Sequence, residues 1–141
     1  MDIQTLLNAI DDESNETLLN LTTNKIKEIN MKILNELGLT KNETKDMLNK
    51  LQNYKYIDEL NELKYGTYIR WINLNDPTRI ELTRGSCFCD VKITDNGILL
   101  VCKNMGTNTK HFQIKMDECL VFQRLNNQEL ILLSALDHLD E

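Results

Sequence analysis

From residue 15 to residue 37, apolar side chains recur at Leu19, Ile26, Ile29, Ile33 and Leu37, close to the helical period. Gly38 follows, a residue that tolerates the left-handed backbone at which helices stop. Thr40-Lys41-Asn42-Glu43 then has the spacing of a capping box, with Thr40 bonding the third amide of the new helix and Glu43 reaching back. Met47, Leu48, Leu51, Tyr54, Ile57 and Leu60 continue an apolar series, which predicts a helix ending near residue 63. So short a gap favours an antiparallel helical hairpin. Ahead of it, Asp2 to Ile10 reads as a short helix that Asp11-Asp12-Glu13-Ser14 interrupts.

The period changes at Tyr65-Gly66. Thr67 to Leu74 is rich in β-branched and aromatic residues, and Asn75-Asp76-Pro77-Thr78 forms a turn in which proline presets the backbone. Arg79 to Thr83 resumes as strand, and Gly85 permits a bend or bulge. Cys87, Cys89, Val91 and Ile93 then alternate with Phe88, Asp90, Lys92 and Thr94 at a period of two. Asp95-Asn96-Gly97 is a strong hairpin signal, on the expectation that both turn residues take positive φ. Ile98 to Cys102 is the return strand, a polar loop spans Lys103 to Lys110, and Phe112, Ile114, Met116, Leu120 and Phe122 carry one apolar phase onward. A lone meander of such strands leaves its edges unpaired, so closure into an SH3-like or OB-like barrel is expected. Asn126 or Asn127 caps a last helix, whose apolar residues cover more than one face and demand a surface to pack on.

The expected fold is therefore α+β. A helical hairpin with a short leading helix occupies residues 1–63, a small antiparallel β-barrel residues 64–125, and a C-terminal helix residues 126–141, packed on the barrel or on a partner. With 41% hydrophobic residues in 141, the chain has enough apolar material for a core. No apolar run approaches the roughly 20 residues of a membrane span, and the start of the chain lacks the basic and apolar regions of a signal peptide. An intracellular protein is expected, cytoplasmic or nuclear or carried in a virion, and not secreted. Abundant Asn with one Pro and five Gly suggests an AT-rich genome, as in some protists and large DNA viruses.

The net charge of −6 argues against bulk electrostatic coating of nucleic acid, but the charge is uneven. Residues 1–62 hold seven Lys against twelve Asp and Glu, whereas residues 63–125 hold nine Lys and Arg against six acids.

Chemistry-bearing patterns are few. A zinc site needs paired cysteine knuckles, whereas Cys87-Phe88-Cys89 is the one close pair and Cys102 and Cys119 stand alone. On a strand, Cys87 and Cys89 share a face with Val91 and Ile93, so buried free thiols are expected and no metal. His111 and His138 have no nucleophile motif near them, and Glu28, Glu36, Asp46 and Glu62 read as solvated helix faces. Gly85, Gly97 and Gly106 are isolated, with no phosphate-cradling loop. No catalytic residue and no cofactor is assigned, and an enzyme is not expected.

The alternation also singles out a surface. If Cys87, Cys89, Val91 and Ile93 point inward, Phe88, Asp90 and Lys92 point outward, and an outward Arg70 brings Tyr68 with it. Tyr68, Arg70, Phe88 and Lys92 then form an aromatic and basic ligand face, unless a helix covers it. The leading expectation is a non-enzymatic protein–protein interaction or assembly protein that self-associates through Leu130, Ile131, Leu133, Leu136 and Leu139 of the last helix. The alternative is a nucleic-acid-binding barrel that uses the sheet face, which the net charge disfavours.

Overall fold

Side-chain caps, more than the apolar period, decide where the helices begin. A computed structural model of the chain describes residues 3–104, 106 and 110–139. Helix α1 (Ile3–Asp11) ends at Asp12, whose carboxylate accepts from the Ser14 amide at 2.9 Å and opens a 3-10 turn, Glu13–Leu18. The continuous helix expected over residues 15–37 is thus broken in two. Asn15 turns inward and donates to the Ala9 carbonyl at 2.9 Å. Thr22, extended at φ −128°, caps the Lys25 amide, so helix α2 covers only Thr23–Asn35. Gly38 takes φ +70°, and Thr40 and Glu43 form the expected capping box at the start of helix α3 (Lys41–Lys50).

The helix expected to reach residue 63 stops at Lys50. Asn53 adopts a left-handed φ of +67°, and strand β1 (Tyr54–Ile57) follows, with Lys55 and Ile57 buried. Leu51, Tyr54 and Ile57 fit a helical period equally well, but tyrosine and isoleucine also suit a strand, and sheet pairing decides for it.

Strands β2 (Tyr68–Asn73), β3 (Ser86–Thr94), β4 (Gly97–Lys103), β5 (His111–Lys115) and β6 (Cys119–Arg124) complete a six-stranded antiparallel sheet in the order β1-β6-β2-β3-β4-β5. The closed barrel is corrected to an open sheet, with β1 and β5 at its edges. The sheet is strongly curled all the same. Trp71 of β2 and Phe112 of β5 lie 5.8 Å apart, although three strand spacings in a flat sheet would separate them by about 14 Å.

Between β2 and β3 the Asp76 carbonyl accepts from the Arg79 amide at 3.0 Å, with Pro77 inside the turn. The strand expected at 79–83 is reduced to an isolated Leu82 bridge to Ile72, with the Thr83 amide on the Trp71 carbonyl. The β3–β4 hairpin turns through Asp95 and Asn96, but the positive φ falls on Gly97 (+115°) and not on the two turn residues. Asp117 and Glu118 fall in a 3-10 turn, Met116–Glu118. Residues 105 and 107–109 of the polar loop, Asp2, and the acidic Asp140 and Glu141 lie outside the described residues.

The chain divides into two compact units, Met1–Lys55 with Leu125–Glu141, and Tyr56–Arg124. In the first, Ala9, Leu18 and Ile26 meet Leu125, Leu132 and Leu133. Helix α4 (Asn127–Leu139) begins at a reciprocal cap between Asn126 and Glu129, and packs into the helical core. In the second, the concave side of the sheet buries Ile69, Phe88, Leu100, Cys102 and Val121 with Ile57 of β1; each such side chain contributes about 1.5–3 kcal/mol. Gln123, 4% exposed, is satisfied there by the Lys64 amide, the Thr67 hydroxyl and the Glu62 carbonyl. Among the described residues no helix is long and apolar enough to cross a membrane.

Candidate functional site

Paired residues in an antiparallel sheet share a face, and chain neighbours take opposite faces. With Ile69, Phe88, Cys102 and Phe112 on the core side, the register puts Tyr68, Cys87, Lys103 and His111 side by side on the outer face across β2, β3, β4 and β5. Because Ile69 pairs with Gln123, Arg124 of β6 extends that row beyond Tyr68.

The structure places Tyr68, Arg70 and Lys92 on this outer face and removes Phe88 from it. Phe88 is 1% exposed and stacks on Tyr65 with ring centroids 5.3 Å apart. The physical reason is a bulge between Phe88 and Asp90, which shifts the register against β4 and inverts the alternation on the N-terminal side of the strand. Val91, beyond the bulge, packs inward, whereas Cys87, before it, turns outward. Ile93, expected in the core, is 79% exposed.

Tyr68 and Arg70 flank the connection to β3. The Tyr68 hydroxyl donates to the Gly85 carbonyl at 3.2 Å, and Arg70 Nε donates to the Thr83 carbonyl at 2.8 Å. Gly85 has φ +94°, and a Cβ there would stand 2.5 Å from the Ile69 carbonyl oxygen, so only glycine lets this segment lie so close. Lys92 lies farther along the face, paired with Leu99, which in turn pairs with Lys115.

Cysteine positions follow the same inversion. Cys102 is fully buried and Cys119 packs against the same core, while Cys87 and Cys89 are half-buried near the bulge. Burial pushes the Cys102 thiol up to about 12 and the Cys119 thiol up to about 11. The Cys87 thiol is also raised, first by burial and then by neighbouring Cys89. All three stay protonated at neutral pH and are poor nucleophiles. Among the described residues no group of three or more His, Cys, Asp and Glu side chains is placed to hold a metal ion.

In the helical unit, the residues expected at an interface are dispersed. Leu133 is 2% exposed in the core, Leu130 and Leu136 pack against it, and Ile131 is half-buried. Leu139 stands 81% exposed. A second apolar surface went unnoticed in the sequence. Helix α1 turns Leu6 and Ala9 inward but leaves Ile3, Leu7 and Ile10 at 71%, 49% and 45% exposure. Their spacing, one residue per turn, was the signal available to find them.

The same unit holds a cleft of about 420 Å³ between α2, the end of α3 and α4, lined among others by Ile26, Leu51, Leu133, Asn30, Gln52 and Asp137. Asp137 is engaged, accepting from the Thr23 amide at 2.8 Å and the Thr23 hydroxyl at 2.6 Å. Asn30 donates to the Tyr54 carbonyl at 3.0 Å. Comparison with protein families, with curated proteins and with solved structures finds no match.

Proposed function

We propose that the chain is an intracellular protein–protein interaction or assembly component that self-associates through its helical unit. The outward stripe of Ile3, Leu7 and Ile10 on α1 carries this reading. An isolated exposed leucine is ordinary, but three aligned on successive turns form a continuous apolar surface that water leaves uncovered. Asn15 joins the Ala9 carbonyl to the Gln128 side chain at 3.3 Å, so the C-terminal end of α1 meets the N-terminal end of α4. Leu139, near the far end of α4, is also exposed.

A second copy is the partner that fits. Ile3 to Ile10 contains no charged residue, so the stripe itself sets no like charges against each other about a two-fold axis, the acids Asp11, Asp12 and Glu13 lying beyond its end. The surface differs from the one first expected on α4, because Leu133 is spent inside the core.

Light scattering on the size-fractionated protein tests this. A discrete oligomer is expected for the native chain and a monomer of unchanged helix content for Leu7→Glu. A native chain that stays monomeric up to about 100 μM, well above the Kd of a stable dimer, removes the reading.

A further inference from the structure

Beyond self-association, we propose that the outer face of the sheet binds single-stranded nucleic acid, with Arg124, Lys103 and His111 holding phosphates in one row on either side of the Tyr68 ring. Four strand steps at about 4.8 Å make this row about 19 Å long, enough for about four nucleotides. Arg124 and His111 are exposed at its ends, and Tyr68 and Lys103 are half-buried between them. Lys92 and Lys115, four pairing positions farther along the strands on the same face, widen the basic surface.

The overall negative charge does not oppose this. All of the net −6 lies in the helical unit, because Tyr56–Arg124 contains nine Lys and Arg and nine Asp and Glu. The acids of the sheet unit are segregated into connections, and among the described residues Asp90 is the one acid that a strand presents on the outer face. Lys92, Lys103 and Arg124 make no ion pair among the described residues, and Lys115 reaches Glu118 only at 3.7 Å. A basic row would suit any polyanion. The tyrosine within it selects nucleic acid, because an aromatic face stacks on every base whatever the sequence. The Tyr68 hydroxyl, bonded to the Gly85 carbonyl, holds that ring in place beforehand.

Fluorescence anisotropy of the full chain with a labelled oligo(dT) of about 15 nucleotides, at low and moderate salt, tests the proposal. Affinity should fall as salt rises, and Lys103→Ala and Arg124→Ala should each weaken binding about threefold and reduce the log–log salt slope by about 0.7. Tyr68→Ala should weaken it about tenfold, while Arg79→Ala, in the β2–β3 turn and off the row, should change nothing. If Tyr68→Ala does not fold by circular dichroism, the two charge variants decide. No binding by the native chain, or equal loss in Arg79→Ala and Lys103→Ala, overturns the proposal. Displacement by polyglutamate as efficient as by unlabelled oligo(dT) also overturns it, and assigns the face to acidic proteins.

Discussion

The two units of this chain dispose of their surfaces in opposite ways. The helical unit leaves Ile3, Leu7, Ile10 and Leu139 in contact with solvent and carries the whole net negative charge. The sheet unit buries Phe88 and Phe122 almost completely, leaves Tyr65 and Ile93 exposed only as separate positions, and turns Lys92, Lys103, Lys115 and Arg124 outward. Curvature explains much of this contrast. A curled sheet wraps one face around its own core and, although Phe122 and Ile72 are buried on the other, leaves room there for exposed Lys92, Lys115 and Arg124, whereas a short helix such as α1 can bury only one stripe against its neighbours. An apolar second stripe therefore stays exposed, and the contrast separates a surface suited to protein from a surface suited to polyanion.

The largest expected effect tests the enclosure of the sheet core. Phe88→Ala should cost about 3–5 kcal/mol in urea unfolding, as for a large ring removed from a packed site. A loss below about 1 kcal/mol would mean that Phe88 is not enclosed and would erase the contrast. A smaller effect tests how the helical unit is held. Asn15 is fully buried and joins the Ala9 carbonyl to Gln128, so Asn15→Ala should cost about 1–3 kcal/mol. Stability unchanged in this variant would make apolar packing alone responsible.

The smallest effect is absent at neutral pH. Cys102, with a folded value of about 12 against an ordinary 9.0, is protonated in both states below pH 9. Between 9 and 12 the unfolded chain loses a proton that the folded chain keeps, so stability falls as pH rises through this window. Urea midpoints compared at about pH 8 and about pH 10 should show the fall in the native chain and a shallower one in Cys102→Ala. An identical fall in both would show that Cys102 is not the group responsible.

Elements governed by neighbours in sequence were legible. The capping box at Thr40 and Glu43, the left-handed stop at Gly38 and the Asp76-Pro77 turn all depend on bonds spanning a few residues. The period over residues 51–57 was not decisive, because Leu51, Tyr54 and Ile57 satisfy a helix as readily as a strand once Asn53 turns left-handed. For the candidate sites, Tyr68, Arg70 and Lys92 could be placed on one face by alternation, but Phe88 could not, since a bulge of one residue reverses the phase and leaves no local mark. Lys103, His111 and Arg124 escaped notice because they come from three strands and meet in a row only after pairing.

By itself, then, the sequence determined the starts of α3 and α4, the Asp76-Pro77 turn, the strand-rich middle and the segregation of charge, through interactions of about 1 kcal/mol that act within a turn or two. The tertiary structure alone decided that Tyr54–Ile57 is strand, that α4 joins the first helices, that the sheet stays open, and which side of β3 faces the core. Those outcomes rest on pairing and burial between residues far apart in the chain, where the free energy of enclosing a side chain such as Phe88 outweighs any local preference.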